Sequence, residues 1–248
     1  MTLPFDMSFG AAAFMVLAFG VAAFVRGYAG FGFSALVVTA SSLVTNPLYF
    51  VAVVMFCEFL MTFQQWRGVW RDVDWPRVTA LMIGALVGVP LGLWAITQVP
   101  VDTARAVIAA YVLVMCGVLM LGWRLQRKLG FAADTGVGTF AGLANAVGMA
   151  GLPVATYFTA QGIRAATFRA TLIAYFALLD AFTAPLMWWH GLVTWDTGVV
   201  VLASLPIIAL GIWAGGRHFV KTDPQDFRRF AILLLAGLAI LGLIKAVV

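Results

Sequence analysis

"RGYAGFGFSAL", residues 26–36, sets an arginine and three glycines directly after residues 9–25, a run with neither a charge nor a hydrogen-bonding side chain. Such a run reads as helix for lipid, since a bilayer core of roughly 30 Å takes about 20 mostly apolar residues to cross. The stretch interrupts that helix with residues that loosen the backbone and bring a cation. Irregular backbone at membrane depth persists only where protein or a water-filled cavity satisfies its polar groups. The interruption therefore predicts a built site.

Composition agrees with the bilayer. Of 248 residues, 63% are hydrophobic and 10% charged, with a mean hydropathy of +1.02; soluble chains are about 45–50% apolar and about 25% charged. The alternating pattern of a membrane barrel is absent, so the expected fold is an all-α polytopic membrane protein. The opening "MTLPFDMSFG" has no Lys or Arg and leads into no small-residue cleavage site, so no signal peptide is expected. Cys57 and Cys116 lie inside apolar runs and read as buried thiols, without a disulfide or metal framework. The net charge of +5 would suggest nucleic acid for a soluble chain. Here the cations sit in short loops between spans and report orientation, and no nucleic-acid partner follows.

Long apolar segments run over 9–25, 48–63, 78–96, 104–121, 167–189, 197–215 and 230–248, while 31–44, 136–147 and 152–160 are shorter and read as half-helices. "PLGLWA" at 90–95 recurs as "ALGIWA" at 209–214, a shift of 119, and at that shift "GYAGFGFS" (27–34) falls on "AVGMAGLP" (146–153). Two homologous repeats follow, 1–125 and 126–248, each a glycine-broken hairpin with three long helices after it. If each broken segment enters and leaves on one side, the segments 1–8, 46–47, 100–103, 191–196 and the C-terminus share the outer face, and twelve of the fifteen cations share the other. The positive-inside rule prefers this inverted arrangement, with both termini outside a cytoplasmic membrane.

Broken helices paired between inverted halves are a recurrent way to build a transport site. Each break leads into a short helix whose first N–H groups lack partners, which suits an anion. Gly27, Gly30 and Gly32 in one tip and Gly148 and Gly151 in the other permit tight backbone and close ligand approach, or close helix packing. Pro153 suits a first helical position. Arg26 is costly at its depth unless it snorkels, contacts an anion or pairs with a buried acid. Glu58 and Asp180, each ten or eleven residues before a loop glycine (Gly68, Gly191), sit at nearly equivalent places in the two halves. They are candidates for proton coupling, for pairing with Arg26 or Arg169, or for neutral hydrogen bonds between helices. Tyr28, Ser34, Asn145, Tyr157, Arg169, Thr171 and Tyr175 are the polar groups expected around the same cavity.

No Walker A motif, zinc-type cluster or dinucleotide fingerprint is present, so no cofactor or metal is implied and energy must come from a gradient, of H+ or Na+, or from a partner. An intramembrane enzyme would need an activated nucleophile, and Cys57 beside Glu58 has no activating cation next to it in sequence. The leading expectation is a gradient-driven carrier of a small anion in a lipid bilayer. A passive anion channel and a structural scaffold stand as alternatives, and the oligomeric state stays open.

The duplicated pattern resembles the TauE/SafE family of membrane transporters. It is carried by "GYAGFGFSALVV" with "WRGVWRDVDWPRV" in one half, and by "AVGMAGLPVATYFTAQGI" with "WWHGLVTWDTGV" in the other, over nearly the whole chain. The resemblance implies movement of sulfur-containing anions such as sulfite or organosulfonates (sulfoacetate among them), usually as export. The family commonly has consecutive glycines at each break, whereas here Tyr28, Ala29 and Phe31 interrupt the first and Met149 and Ala150 the second.

Overall fold

A computed structural model describes residues 3–29, 31–65, 70–121 and 129–219, with residues 236, 237 and 240. Among these residues the chain is helical, without strands. After a 3-10 turn at Pro4–Asp6 come α1 (Phe9–Ala29), α2 (Phe33–Ser42), α3 (Pro47–Gln65), α4 (Trp75–Thr97), α5 (Val101–Leu121), α6 (Phe131–Asn145), α7 (Gly151–Ala160), α8 (Ala165–Trp189) and α9 (Trp195–Phe219). Five of them, α1, α4, α5, α8 and α9, are long and apolar enough to cross a bilayer. α2 and α7 have 10 residues each, about 15 Å of helix. The expected segment 230–248 lies almost wholly outside the described residues.

Local chemistry explains the boundaries. Asp74 caps α4, its side chain accepting from the Arg77 N–H, with Pro76 in the first turn. Thr194 and Thr197 bond reciprocally at the start of α9. Just past the end of α8, Gly191 lies in the left-handed region at φ 69°, with the Leu192 N–H returning to the Met187 carbonyl.

The first break is shorter than the sequence suggests. α1 runs on through Arg26, Gly27 and Tyr28 to Ala29, and among the described residues of the break only Gly32, the residue before α2, is left-handed, at φ 94°. Gly27 belongs to a helix interface: a Cβ there would lie 2.5 Å from the Ile212 carbonyl oxygen on α9. Between α6 and α7 the helix is interrupted over residues 146–150. α6 ends at Asn145, Gly148 beyond it takes φ 71°, the Met149 N–H bonds to the Ala144 carbonyl, and α7 starts at Gly151. Pro153 is therefore the third residue of α7 and not the first, though still within the turn whose N–H groups lack helical partners.

Two glycine-lined pairs form the sides of the bundle. α1 and α9 run parallel, with Gly20 against Ile207, Gly211 against Ala23 and Gly215 against the Phe24 carbonyl. α4 and α6 also run parallel, Gly84 on the Thr135 carbonyl, Gly88 on Thr139 and Gly92 on Leu143, with Gly138 returning against Leu81. Small residues let these backbones touch, the usual route to tight helix association in lipid. Between the pairs lie α3 and α8, with α2 and α7 buried at their sides. Large apolar side chains such as Leu17, Leu86, Val114, Leu202 and Leu210 point outward from the long helices.

The starts of α1, α3, α5 and α9 gather at one end. The Phe5 N–H donates to Asp196 at 2.7 Å, the Phe5 ring stacks on Tyr49 at 4.9 Å, and Arg105 donates to the Thr45 carbonyl at 3.0 Å. At the other end of α4, the starts of α4, α6 and α8 gather with the end of α7: the Asp74 N–H donates to Thr171, Arg77 to Gln161, and Tyr157 to Asp134.

Candidate functional site

Arg26 sits on the last turn of α1 with 1% of its surface exposed. Burial of a guanidinium is costly unless it is paired, and its Nη1 lies 3.5 Å from Glu58 Oε1 on α3. On its other side the guanidinium carbon stands 5.1 Å from the centre of the Phe176 ring on α8, a cation–π contact. Nε and Nη2 have no hydrogen-bond partner among the described residues. These two nitrogens form the edge of the guanidinium that presents parallel N–H groups, the geometry that grips an oxyanion in bidentate fashion.

Glu58 holds a position the sequence reading reserved for a ligand. Gly32 offers no side-chain cap to α2, so the first N–H groups of that helix are open. The Ser34 hydroxyl donates to Glu58 Oε1 at 3.3 Å, and the Ser34 backbone N–H faces the same carboxyl group. A carboxylate from α3 thus rests against the N-terminal end of α2, where the partial positive charge of the helix favours an anion.

The corresponding end of α7 is covered differently. A Cβ at Gly151 would lie 3.2 Å from the Phe176 ring, so that ring stands between Arg26 and the second short helix. Counting from Pro47 and Ala165, Glu58 and Phe176 are each the twelfth residue of their helix. The sequence pairing of Glu58 with Asp180 is corrected by this count. Measured from the loop glycines the two acids look equivalent, but α8 is six residues longer than α3 (25 against 19), which shifts that register.

Asp180 is nevertheless close by, buried on α8, interacting electrostatically with both Glu58 and Arg26, with Oδ2 unpartnered among the described residues. Tyr175 is fully buried near Asp180 and its hydroxyl also lacks a partner among the described residues. Arg169, half-buried on α8, feels the charge of Arg26, and its Nε is likewise unpartnered there. Asn145 donates to Thr183 at 2.9 Å and to the Met55 sulfur at 3.8 Å. Met55 and Thr183 lie three residues from Glu58 and Asp180, so Asn145 bridges α3 and α8 about one turn from the acids.

Tyr28 is buried on the last turn of α1, Gly27 packs on α9, Gly148 sits against Val38 and Val54, and Gly30 lies outside the described residues. Tyr157 and Thr171 do not join the Arg26 group; their partners are Asp134 and Asp74, in the second polar cluster at the starts of α4, α6 and α8. Cys57 is buried against Ser204 at 3.4 Å and, like Cys116, forms no disulfide. Phe176 carried no signal in the sequence: one phenylalanine in an apolar helix looks like any other.

A model of the sulfite exporter TauE/SafE family matches residues 15–241. The chain belongs to the TauE/SafE family. No curated protein and no solved structure matches it. TauE/SafE proteins are membrane transporters, and this member is a multi-pass membrane protein with, among the described residues, five helices fit to span a bilayer.

Proposed function

We propose that this chain is a gradient-driven carrier of a small anion of the sulfur oxyanion or organosulfonate class, bound at Arg26 and the N-terminal end of α2, between the two breaks. One observation carries the reading: a buried arginine with its bidentate edge unpartnered among the described residues, beside an uncapped helix start. Sulfite and sulfonates have the oxygen geometry that such an edge fits.

Two inverted repeats supply the moving parts in this proposal. Supporting that reading, α1 begins and α2 ends at the end that holds Phe5 and Thr45, whereas α6 begins and α7 ends at the end that holds Asp134 and Gln161. The parallel pairs α1 with α9 and α4 with α6 are the two contacts that an exchange of the halves would interchange. Rocking of one half against the other would expose the site alternately, with H+ or Na+ as the coupling ion.

The test is flux into liposomes with sulfite, sulfoacetate, thiosulfate and chloride. Saturable uptake with counter-flow exchange of the sulfur anions, lost in Arg26→Ala, is the expected result. Absence of flux for every anion would overturn the proposal, and flux without exchange would make the protein a channel.

A further inference from the structure

We propose that Glu58 is a tethered competitor for the transported anion: its carboxylate fills the place made by Arg26 and the start of α2, and an anion enters when Glu58 takes up a proton and yields that place. The inference rests on the anion-site reading above and adds what controls occupancy.

The geometry points to competition because Glu58 holds the remaining nitrogen of Arg26 and the α2 donors beside its open Nε and Nη2 edge, so an oxyanion gripped by that edge would share the guanidinium and the helix start with it. The donors Glu58 holds are Arg26 Nη1 from α1 at 3.5 Å, and the hydroxyl and N–H of Ser34 from α2. Two full negative charges at one guanidinium and one helix end repel, so the ionised carboxylate and a bound anion exclude each other. The 3.5 Å spacing is long for a charge-assisted bond, which normally closes to about 2.7–2.9 Å. The carboxylate is held by several moderate contacts, which suits a group that must give way.

The groups acting on Glu58 are few among the described residues: Arg26 from α1, Ser34 from α2, Asp180 from α8 and Cys57 on its own helix. Arg26 in turn acts on Arg169 of α8, and Asp180 on Tyr175. At the matching place in the second half, Phe176 cannot ionise. The exchange is therefore confined to one of the two helix starts.

In the exchange a proton from the open side forms an O–H bond on the Glu58 carboxyl, the ionic contact with Arg26 is released, and the incoming anion takes it over. The charge balance of the site is unchanged. One anion loads together with one proton, so a monovalent sulfonate crosses without net charge.

The experiment uses the full-length protein in detergent and methanesulfonate, whose sulfonate stays ionised over the working range. Calorimetry in buffers of different protonation enthalpy counts the protons taken up per anion bound. Wild type should take up close to one proton, with affinity rising about tenfold for each pH unit lowered while Glu58 is ionised. Glu58→Gln should bind more tightly, without proton uptake, while Asp180→Asn keeps the wild-type linkage. PH-independent binding in wild type, loss of linkage in Asp180→Asn with its retention in Glu58→Gln, or loss of binding in a folded Glu58→Gln protein would each overturn the inference while leaving the anion site standing. Absence of binding by wild type and Glu58→Gln alike would instead remove the anion-site reading beneath it. The wild-type proton count needs no variant, so a Glu58→Gln protein that does not fold leaves the test intact.

Discussion

Glu58 and Phe176 hold the same rank, the twelfth residue of α3 and of α8, and each stands against the first turn of the short helix before its own. Backbone physics makes the two helix starts alike, each with open N–H groups and no side-chain cap. The residue facing each start makes them differ. The first start has a carboxylate with Arg26 beside it, which the proposed exchange uses, and the second has an aromatic ring that also lies against the arginine.

Arg26 and Glu58 should be energetically inseparable. Arg26→Ala leaves a carboxylate buried without its cation, a change that costs about 3–5 kcal/mol for comparable pairs. Thermal unfolding in detergent should drop sharply for Arg26→Ala and recover in the double variant Arg26→Ala with Glu58→Gln. Arg26→Lys should stay folded yet lose at least about tenfold in sulfonate affinity, because a point charge has no bidentate edge. Equal stability of the single and double variants would show that the pair is not coupled.

Phe176→Leu keeps an apolar side chain while removing the ring face beneath the guanidinium. The lost cation–π contact is worth about 0.5–2 kcal/mol. Anion affinity should weaken by about threefold to tenfold, with the protonation linkage of wild type preserved, since Glu58 is untouched. Unchanged affinity in Phe176→Leu would mean that the ring only fills space.

Much of this was legible in the sequence. Breaks could be found because glycine after a long apolar run has few explanations, and the buried cation and acids stood out because lipid makes them expensive. What was misread has a common cause. Gly27 and Gly32 look the same on paper, but one serves an interface with α9 and the other a left-handed turn. Distance from a loop glycine pairs Asp180 with Glu58, although counting from the helix starts pairs Phe176 with it. Phe176 could not be singled out, since its role comes from what it faces.

The glycine-lined α4/α6 contact should tolerate no side chain. Gly84→Ala would drive a Cβ into the Thr135 carbonyl, and Gly138→Ala into the Leu81 carbonyl, whereas Gly136 and Gly117 face open space. The first two substitutions should destabilise by about 1–3 kcal/mol, as overpacking does, seen as lower unfolding temperatures. Gly136→Ala should stay within about 1 kcal/mol of wild type or gain from better helix propensity.

Cysteine labelling decides whether the two gathered ends face opposite sides of the membrane. Cys57 and Cys116 are buried and should stay silent to an impermeant maleimide. Ser8→Cys and Gln98→Cys replace exposed residues at the end that holds the starts of α1 and α5, and Arg164→Cys an exposed residue at the start of α8. In oriented vesicles the first two should label together from one side and the third only from the other. In the hairpin arrangement Thr45→Cys, just after α2, labels with Ser8→Cys, because the chain returns to the side it left. Labelling of Thr45→Cys with Arg164→Cys would make α1 and α2 a single kinked crossing and would remove the inverted arrangement, since α6 and α7 would no longer have a counterpart of opposite sense.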